Sequence, residues 1–344
     1  MRVLPSHSRR YVSGLVLAAL VAVALAAGAC STTPSVRQTS VNSPAVLPAD
    51  ASVVHPTATP APPSNCTASD PPPSPMPTPG HMPASSWMAH IYARGYLIAG
   101  VDQNTYLWAY RDPVTGQLQG FDIDMLEQIN QAIFGANAPP IRFQIVANDD
   151  RSQAVATGKV DIVAETMTIN CERQARSSAD PYPVDFSTVY YMAAEQLLVP
   201  LGSTITGPAD LGHRRVCAAG GADSLGNLVA QTGAQHVVAW NVNDWADCLV
   251  MLQQGQVDAI STDNAILLGL HAQDPNTVIV GPQFSPEPYG MAISEQHPEF
   301  TAFVNGVLAQ ERADGTWEAL YNSVLRPYTG QPQAPPAPTY KAAT

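Results

Sequence analysis

Arg173 stands next to last in the stretch ETMTINCERQ (165–174), which directly follows the apolar run VDIVA. With Asn170 as N-cap, Arg173 falls in a first helical turn, where unpaired backbone N–H groups point outward. Those N–H groups and the guanidinium both favour an anion of carboxylate size. The hydroxyls of Thr166 and Thr168 can complete its hydrogen bonds, and arginine rather than lysine suits a planar, two-oxygen partner. The structural alternative is a solvated helix-start arginine paired with Glu172 or Asp185. Arg151 stands in the same situation after IRFQIVA (141–147), with surface pairing to Asp149 or Asp150 as its alternative. Asp263 and Thr262 follow VDAIS. Asp263 is an isolated acid suited to a cation, or else a plain N-cap for NAILLGLHAQ (264–273). Gly221 and Ala222, in the run AAGGADS, offer backbone N–H groups at another strand-to-helix junction. Trp108 fits either a core position or a pocket wall covering a ligand's methylenes.

These residues need a scaffold that brings strand ends together. YLIAGVD (96–102) reads as a strand. YLWAYRDPVTGQLQGFDI (106–123) reads as a hairpin, with Asp112-Pro113 and Thr115-Gly116 as turn chemistry. DMLEQINQAIFG (124–135) has amphipathic helical spacing stopped by Gly135. IRFQIVA, then a helix over 150–160 capped by Asp149 or Asp150, then VDIVAE continue the alternation. A second series starts near residue 212: RRVCAA strand, GADSLGNLVAQTG helix, HVVAW strand, WADCLVMLQQG helix, VDAIST strand, NAILLGLHAQ helix and TVIVG strand. Strands alternating with helices imply α/β sheets with crossovers. The spacing predicts two α/β lobes joined by the segments 190–200 and 281–294, with two closing helices over 298–325 returning to the first lobe. In open α/β sheets ligands bind beyond the carboxyl ends of the strands, which is where every residue of the first paragraph except Trp108 falls.

The chain has 344 residues, 45% of them hydrophobic, enough for one or two domains with cores. Its net charge is −12 and its only lysines are Lys159 and Lys341, which argues against nucleic acid as a partner. Arg2, Arg9 and Arg10 precede the apolar run 12–28, the layout of an export signal. Ala27, Gly28 and Ala29 before Cys30 have the form of a lipidation site; an uncleaved membrane anchor is the alternative, and both put the rest outside the membrane. Sec and Tat export stay equally open. Four further cysteines in an exported chain suggest two disulfides. Cys217 lies in a strand and Cys248 in a helix of one lobe, which favours 217–248 and leaves Cys66–Cys171; free buried thiols are the alternative. Residues 31–86 are rich in Pro, Ser, Thr and Ala and read as a semi-extended tether. The tail after residue 328 reads as disordered.

No metal-ligand spacing is evident among the eight histidines. There is no nucleophile elbow and no nucleotide loop, since AAGGADSLG lacks the fingerprint and the lysine. No cofactor is implied. Glu165 is the one candidate proton donor for catalysis, and it has no clear partner.

AETMTINCERQ followed by VDFSTVYY, together with QLQGFDIDMLEQI and LQQGQVDAISTDNAIL, resembles extracellular solute-binding proteins for polar amino acids (family 3), the receptors of ABC importers. The likeness spans about residues 88–327. The lipobox, Pro-rich tether and cysteines are similar to actinobacterial glutamine- or glutamate-binding lipoproteins. The resemblance implies an α/β, two-lobed type II periplasmic-binding-protein clamshell with hinge strands, monomeric and not an enzyme, although cyclohexadienyl dehydratases and some lytic transglycosylases use related folds. It divides the chain into an export signal (1–29), a lipidated tether (30–86), lobe one (87–195 and 283–328), lobe two (196–282) and a tail (329–344). It implies that Arg173 and Thr168 grip an α-carboxylate, that Asp263 pairs with the α-ammonium, and that Arg151 meets a side-chain carboxylate, with Trp108 near an aromatic wall. The implied partners are a free amino acid, Asp or Glu before Asn or Gln, an ABC permease or a membrane sensor receptor, and the membrane itself through the lipid. The lobe-two loop departs from the family's Ser-Gly-Thr type. Asp223 there would repel a side-chain carboxylate unless it turns away.

Overall fold

Short apolar runs flanked by helices build two covered sheets. In the computed structural model, which describes residues 46–55, 72–175, 181–232 and 237–340, the first sheet runs Arg142–Ile145, Ile98–Val101, Ile162–Val163, Ala292–Ser294, Val184–Phe186. Its first three strands are parallel, and Ala292–Ser294 lies antiparallel to both of its neighbours. The second runs Ser52–Val54, Val238–Val242, Arg215–Ala219, Ala259–Asp263, Tyr191–Pro200, Thr277–Val280. Every residue of Ala259–Asp263 is buried, as expected for a strand covered on both faces. The expected export signal, Cys30 and Cys66 lie outside the described residues. No helix among the described residues is long and apolar enough to cross a membrane.

Each sheet carries a core on either face. Around the first, one cluster joins Ile91, Phe121, Ile129, Phe300, Phe303 and Trp317; another joins Val155, Val163, Phe186 and Ala292. The helices Pro298–Asp314 and Thr316–Val324 pack in the first of these clusters. Around the second sheet, Cys217, Leu249, Leu252 and Leu267 pack on one side and Leu197, Val216 and Leu228 on the other. The predicted hairpin forms as Ala109–Arg111 against Leu118–Gln119. Its turn is organised by Asp112, whose Oδ1 accepts from the N–H groups of Val114 (2.9 Å) and Thr115 (2.7 Å).

The two lobes are joined by a two-stranded ribbon. Tyr191–Pro200 is long enough to belong to both: its first four residues pair antiparallel with Pro286–Tyr289, and from Glu195 onward it pairs with Ala259–Asp263. Thr168 bridges to Tyr289, which ties the wall of lobe one to this ribbon.

The Pro-rich segment differs from its expectation as a free tether up to residue 86. Ser52–Val54 adds an edge strand to Val238–Val242. Further on, the Ser74 N–H donates to Ala302 O (3.0 Å) and the Gly80 N–H to Ile133 O (2.9 Å). Met76 seats its sulfur where any Cβ on Gly306 would come within 2.6 Å of it. The tail is likewise laid on the body as far as residue 340: Arg312 Nε donates to Pro336 O (3.0 Å) and the Thr339 N–H to Thr188 Oγ1 (3.3 Å). Proline-rich sequence has no periodicity to reveal such docking, because a polyproline chain needs only grooves and a few backbone acceptors.

Cys217 and Cys248 form a disulfide with Cα atoms 5.6 Å apart, linking strand to helix across 31 residues. Cys171 is also disulfide-bonded. Replacing both Cys217 and Cys248 with alanine is expected to cost roughly 3 kcal/mol of stability through lost loop closure. Urea unfolding measures this, and an unmoved midpoint would contradict a structural role.

Candidate functional site

The carboxyl ends of both sheets face one cleft, lined by Asn148, Arg151, Thr166, Thr168, Arg173, Ala222, Asp223, Ser224, Trp245, Thr262, Asp263, Ile266 and Glu287. Arg151 opens the helix Arg151–Ala156. Its Nε donates to Asn148 O (2.9 Å), its Nη1 to Glu165 O (2.9 Å) and its Nη2 to Gly221 O (3.1 Å). Arg173 is placed as the N-cap argument required, with its N–H donating to Asn170 Oδ1 (2.9 Å). Its Nη1 donates to Thr168 O (2.6 Å) and its Nη2 to the same Gly221 O (3.0 Å). The two guanidiniums thus share one acceptor while only 4% and 7% exposed. Burial, followed by the like charge of Arg173, lowers the pKa of Arg151. Neither arginine is the solvated surface residue of the structural alternative.

Gly221 must be glycine for this contact. Its φ is +64°, and a Cβ would stand 2.6 Å from Asp149 Oδ1 and 2.8 Å from the Asp149 backbone nitrogen. The lobe-two loop therefore approaches the 148–151 turn of lobe one backbone to backbone.

Thr166 holds a left-handed backbone, φ +43°, which is costly for a β-branched residue. A buried relay sustains it: the Thr166 N–H donates to Asp122 Oδ2 (3.0 Å), while the Tyr190 hydroxyl donates to Asp122 Oδ1 (2.6 Å). Burial pushes the Asp122 carboxyl up to about 6. Asp122 comes from the GFDID run at the start of Phe121–Phe134 and Tyr190 from the entry to the ribbon, so three separate segments fix the cleft wall.

The other pole is acidic. Asp263 ends Ala259–Asp263, and although it occupies the N-cap position of Asn264–Gln273 its side chain makes no capping bond. Instead it accepts from the Tyr289 hydroxyl (2.7 Å). Glu287 accepts from Thr168 Oγ1 (2.6 Å) and Asn227 Nδ2 (2.7 Å), and Glu195 from Ser261 Oγ (2.8 Å). Carboxylate oxygens of Glu195, Asp263 and Glu287 lie within 4.8 Å of one another, all buried. Burial, more than mutual repulsion, lifts these carboxyls, Glu287 to about 7 and the other two well above the usual range.

Of the residues singled out from sequence, the structure brings Arg151, Arg173, Thr166, Thr168, Asp263, Thr262 and Ala222 together in the lining, with Gly221 contributing its carbonyl. Trp108 is not brought there. At 1% exposure it is core, edge-on to Phe121, Tyr191 and Tyr289, and its indole N–H is used by Ala265 O (3.0 Å). The aromatic in the lining is Trp245, the first residue of Trp245–Gln253, beyond the end of a strand where the strand-end rule would have placed it. Glu287 also escaped notice; an acid inside the crossing segment SPEPYGMA was its signal.

A family model, bacterial extracellular solute-binding proteins, family 3, matches residues 97–326. The glutamine-binding protein of a Bacillus subtilis (strain 168) ABC transporter is 31% identical over 240 residues, covering 70% of this chain and 84% of its own. A glutamate-binding protein of Corynebacterium glutamicum is 27% identical over 219 residues, covering 60% and 71%. Among solved structures, an ancestral arginine-binding protein bound to arginine is 29% identical with a TM-score of 0.60, covering 67% of this chain and 99% of that one.

The raised carboxyls predict an inverted pH dependence of stability. A carboxyl whose folded pKa exceeds its unfolded value binds its proton more tightly in the folded chain, so stability falls as pH rises from about 4 through 7. Asp258, held below its usual value by hydrogen bonding to Arg215, titrates beneath that window. Calorimetry of ligand-stripped protein is expected to give a higher unfolding midpoint at pH 5.5 than at pH 8, with a smaller difference in Glu287→Gln. A midpoint that is higher at pH 8 would contradict it.

Proposed function

The chain belongs to the bacterial extracellular solute-binding proteins, family 3, and from that footing we propose that its cleft closes on one free polar amino acid, glutamate or aspartate before glutamine or asparagine, and delivers it to an ABC importer. The observation that carries this reading is the pair of buried guanidiniums converging on one carbonyl, opposite three buried carboxyls. An amino acid offers an α-carboxylate to one guanidinium and an α-ammonium to the acidic pole, and a side-chain carboxylate matches the second guanidinium. In this account Arg173 takes the α-carboxylate with Thr168 beside it, and Asp263 takes the ammonium, with Glu287 adjoining. Arg151 takes the side-chain carboxylate; a neutral amide there would lose part of the electrostatic match, which is why the acidic amino acids are favoured.

The residues come from both lobes, so a ligand touching all of them stabilises the closed arrangement over any in which the lobes part. Charge-assisted hydrogen bonds contribute about 1.5–3 kcal/mol each, and a few suffice for an affinity near ~1 μM, about −8 kcal/mol. A lipid on Cys30 would hold the body at the outer face of the membrane. The named relatives are binding proteins rather than enzymes.

A thermal-shift screen of the twenty amino acids on the body is expected to single out glutamate and aspartate. In calorimetry, Arg151→Ala should weaken glutamate by tenfold or more and glutamine by less; unchanged glutamate affinity would remove Arg151 from the site. Because Trp245 lines the cleft and Trp108 does not, glutamate should change the tryptophan emission of the wild type but not of Trp245→Phe. A response surviving in Trp245→Phe would mean that another indole reports.

A further inference from the structure

Asp223 does not turn away from the cleft. It sits in the lobe-two loop just before Ser224–Thr232, yet one carboxylate oxygen lies 3.3 Å from Arg173 Nη1 and the other 3.4 Å from Nη2. Asn170 Nδ2 donates to it as well, at 2.8 Å. The same Asn170 caps the turn that carries Arg173, so one side chain aligns both members of the pair. With Gly221 O already on Nη2, the outward edge of the Arg173 fork faces an acid belonging to the opposite lobe.

We propose that Asp223 is a specificity-determining residue that competes with the ligand's carboxylates for Arg173, and so limits how tightly the cleft holds an acidic amino acid. This rests on the amino-acid reading of the cleft given above. An incoming carboxylate must either displace Asp223 or share the guanidinium with it. Displacement costs an ion pair whose arginine is nearly buried; sharing places two anions against one cation. Both routes subtract from affinity. Asp223 can yield because its side chain is 20% exposed, whereas that of Arg173 is 9% exposed and held from behind by Thr168 O. The field of Asp223 also reaches Arg151. A ligand with a second carboxylate therefore feels the acid twice, and a ligand with an amide feels it once. The chain thus carries a second arginine that favours glutamate and an acid that restrains it, so the preference for acidic over amide amino acids is kept but narrowed.

The test is calorimetry of L-glutamate and L-glutamine with the wild type, Asp223→Asn and Asp223→Ala. Removing the acid is expected to tighten glutamate about tenfold, the scale of one charge-assisted contact, and glutamine by less. Asp223→Asn keeps the volume and can still meet Asn170, so it decides the matter if Asp223→Ala fails to fold. Affinity that is unchanged, or that falls while the unfolding midpoint holds, overturns the inference; a fall would make Asp223 a ligand to the ammonium instead. A wild type that binds none of the amino acids overturns the reading of the cleft itself, and this inference with it.

Discussion

Two guanidiniums buried side by side are the constraint around which the molecule is arranged. Taking each from water costs several kcal/mol, and their mutual repulsion adds to that. Backbone carbonyls of Asn148, Glu165, Thr168 and Gly221 satisfy their N–H groups. These acceptors are neutral and leave the charge of Arg151 uncancelled, while Asp223 offsets part of that of Arg173, so an anion is still favoured beside the pair. The hinge side has the opposite difficulty, with three carboxyls in one buried space. A zwitterion answers both, and each pole makes the other's ligand group more favourable.

The fold supplies this pairing through strand ends. Arg151 and Arg173 follow strands of the first sheet, while Gly221 and Asp263 come from strands of the second. Each guanidinium is therefore fixed by its own lobe and completed by the other. The acidic pole is built partly on the ribbon itself, since Glu195 and Glu287 are ribbon residues. Charge placed in the cleft thus acts on the strands about which the lobes are joined. The Asp122 relay extends the same logic inward, connecting the ribbon entry at Tyr190 to the strained backbone of Thr166.

Much of this was legible in the residues. The alternation of strand and helix, the hairpin turn at Asp112 and the capping of the 171–174 turn by Asn170 follow from local chemistry, and local chemistry is what a sequence displays. Arg173, Arg151 and Asp263 were singled out because strand ends of α/β sheets are where sites form, and all three line the cleft. Trp108 was misplaced because nothing local separates an aromatic that walls a pocket from one packed behind it; the acceptor at Ala265 O that fixes it is 157 residues away. Glu287 stayed hidden because its importance comes from which strand crosses between lobes, a property of pairing and not of composition. The docking of residues 72–86 depended on a groove left by Gly306, invisible until the helix bearing it was in place.

A crystal structure of the protein grown with L-glutamate tests the proposal that both guanidiniums hold one amino acid. One carboxylate is expected on Arg173, the other on Arg151 and the ammonium at Asp263. Glutamate bound elsewhere on the body, or in the cleft with its carboxylates turned from both arginines, would contradict it.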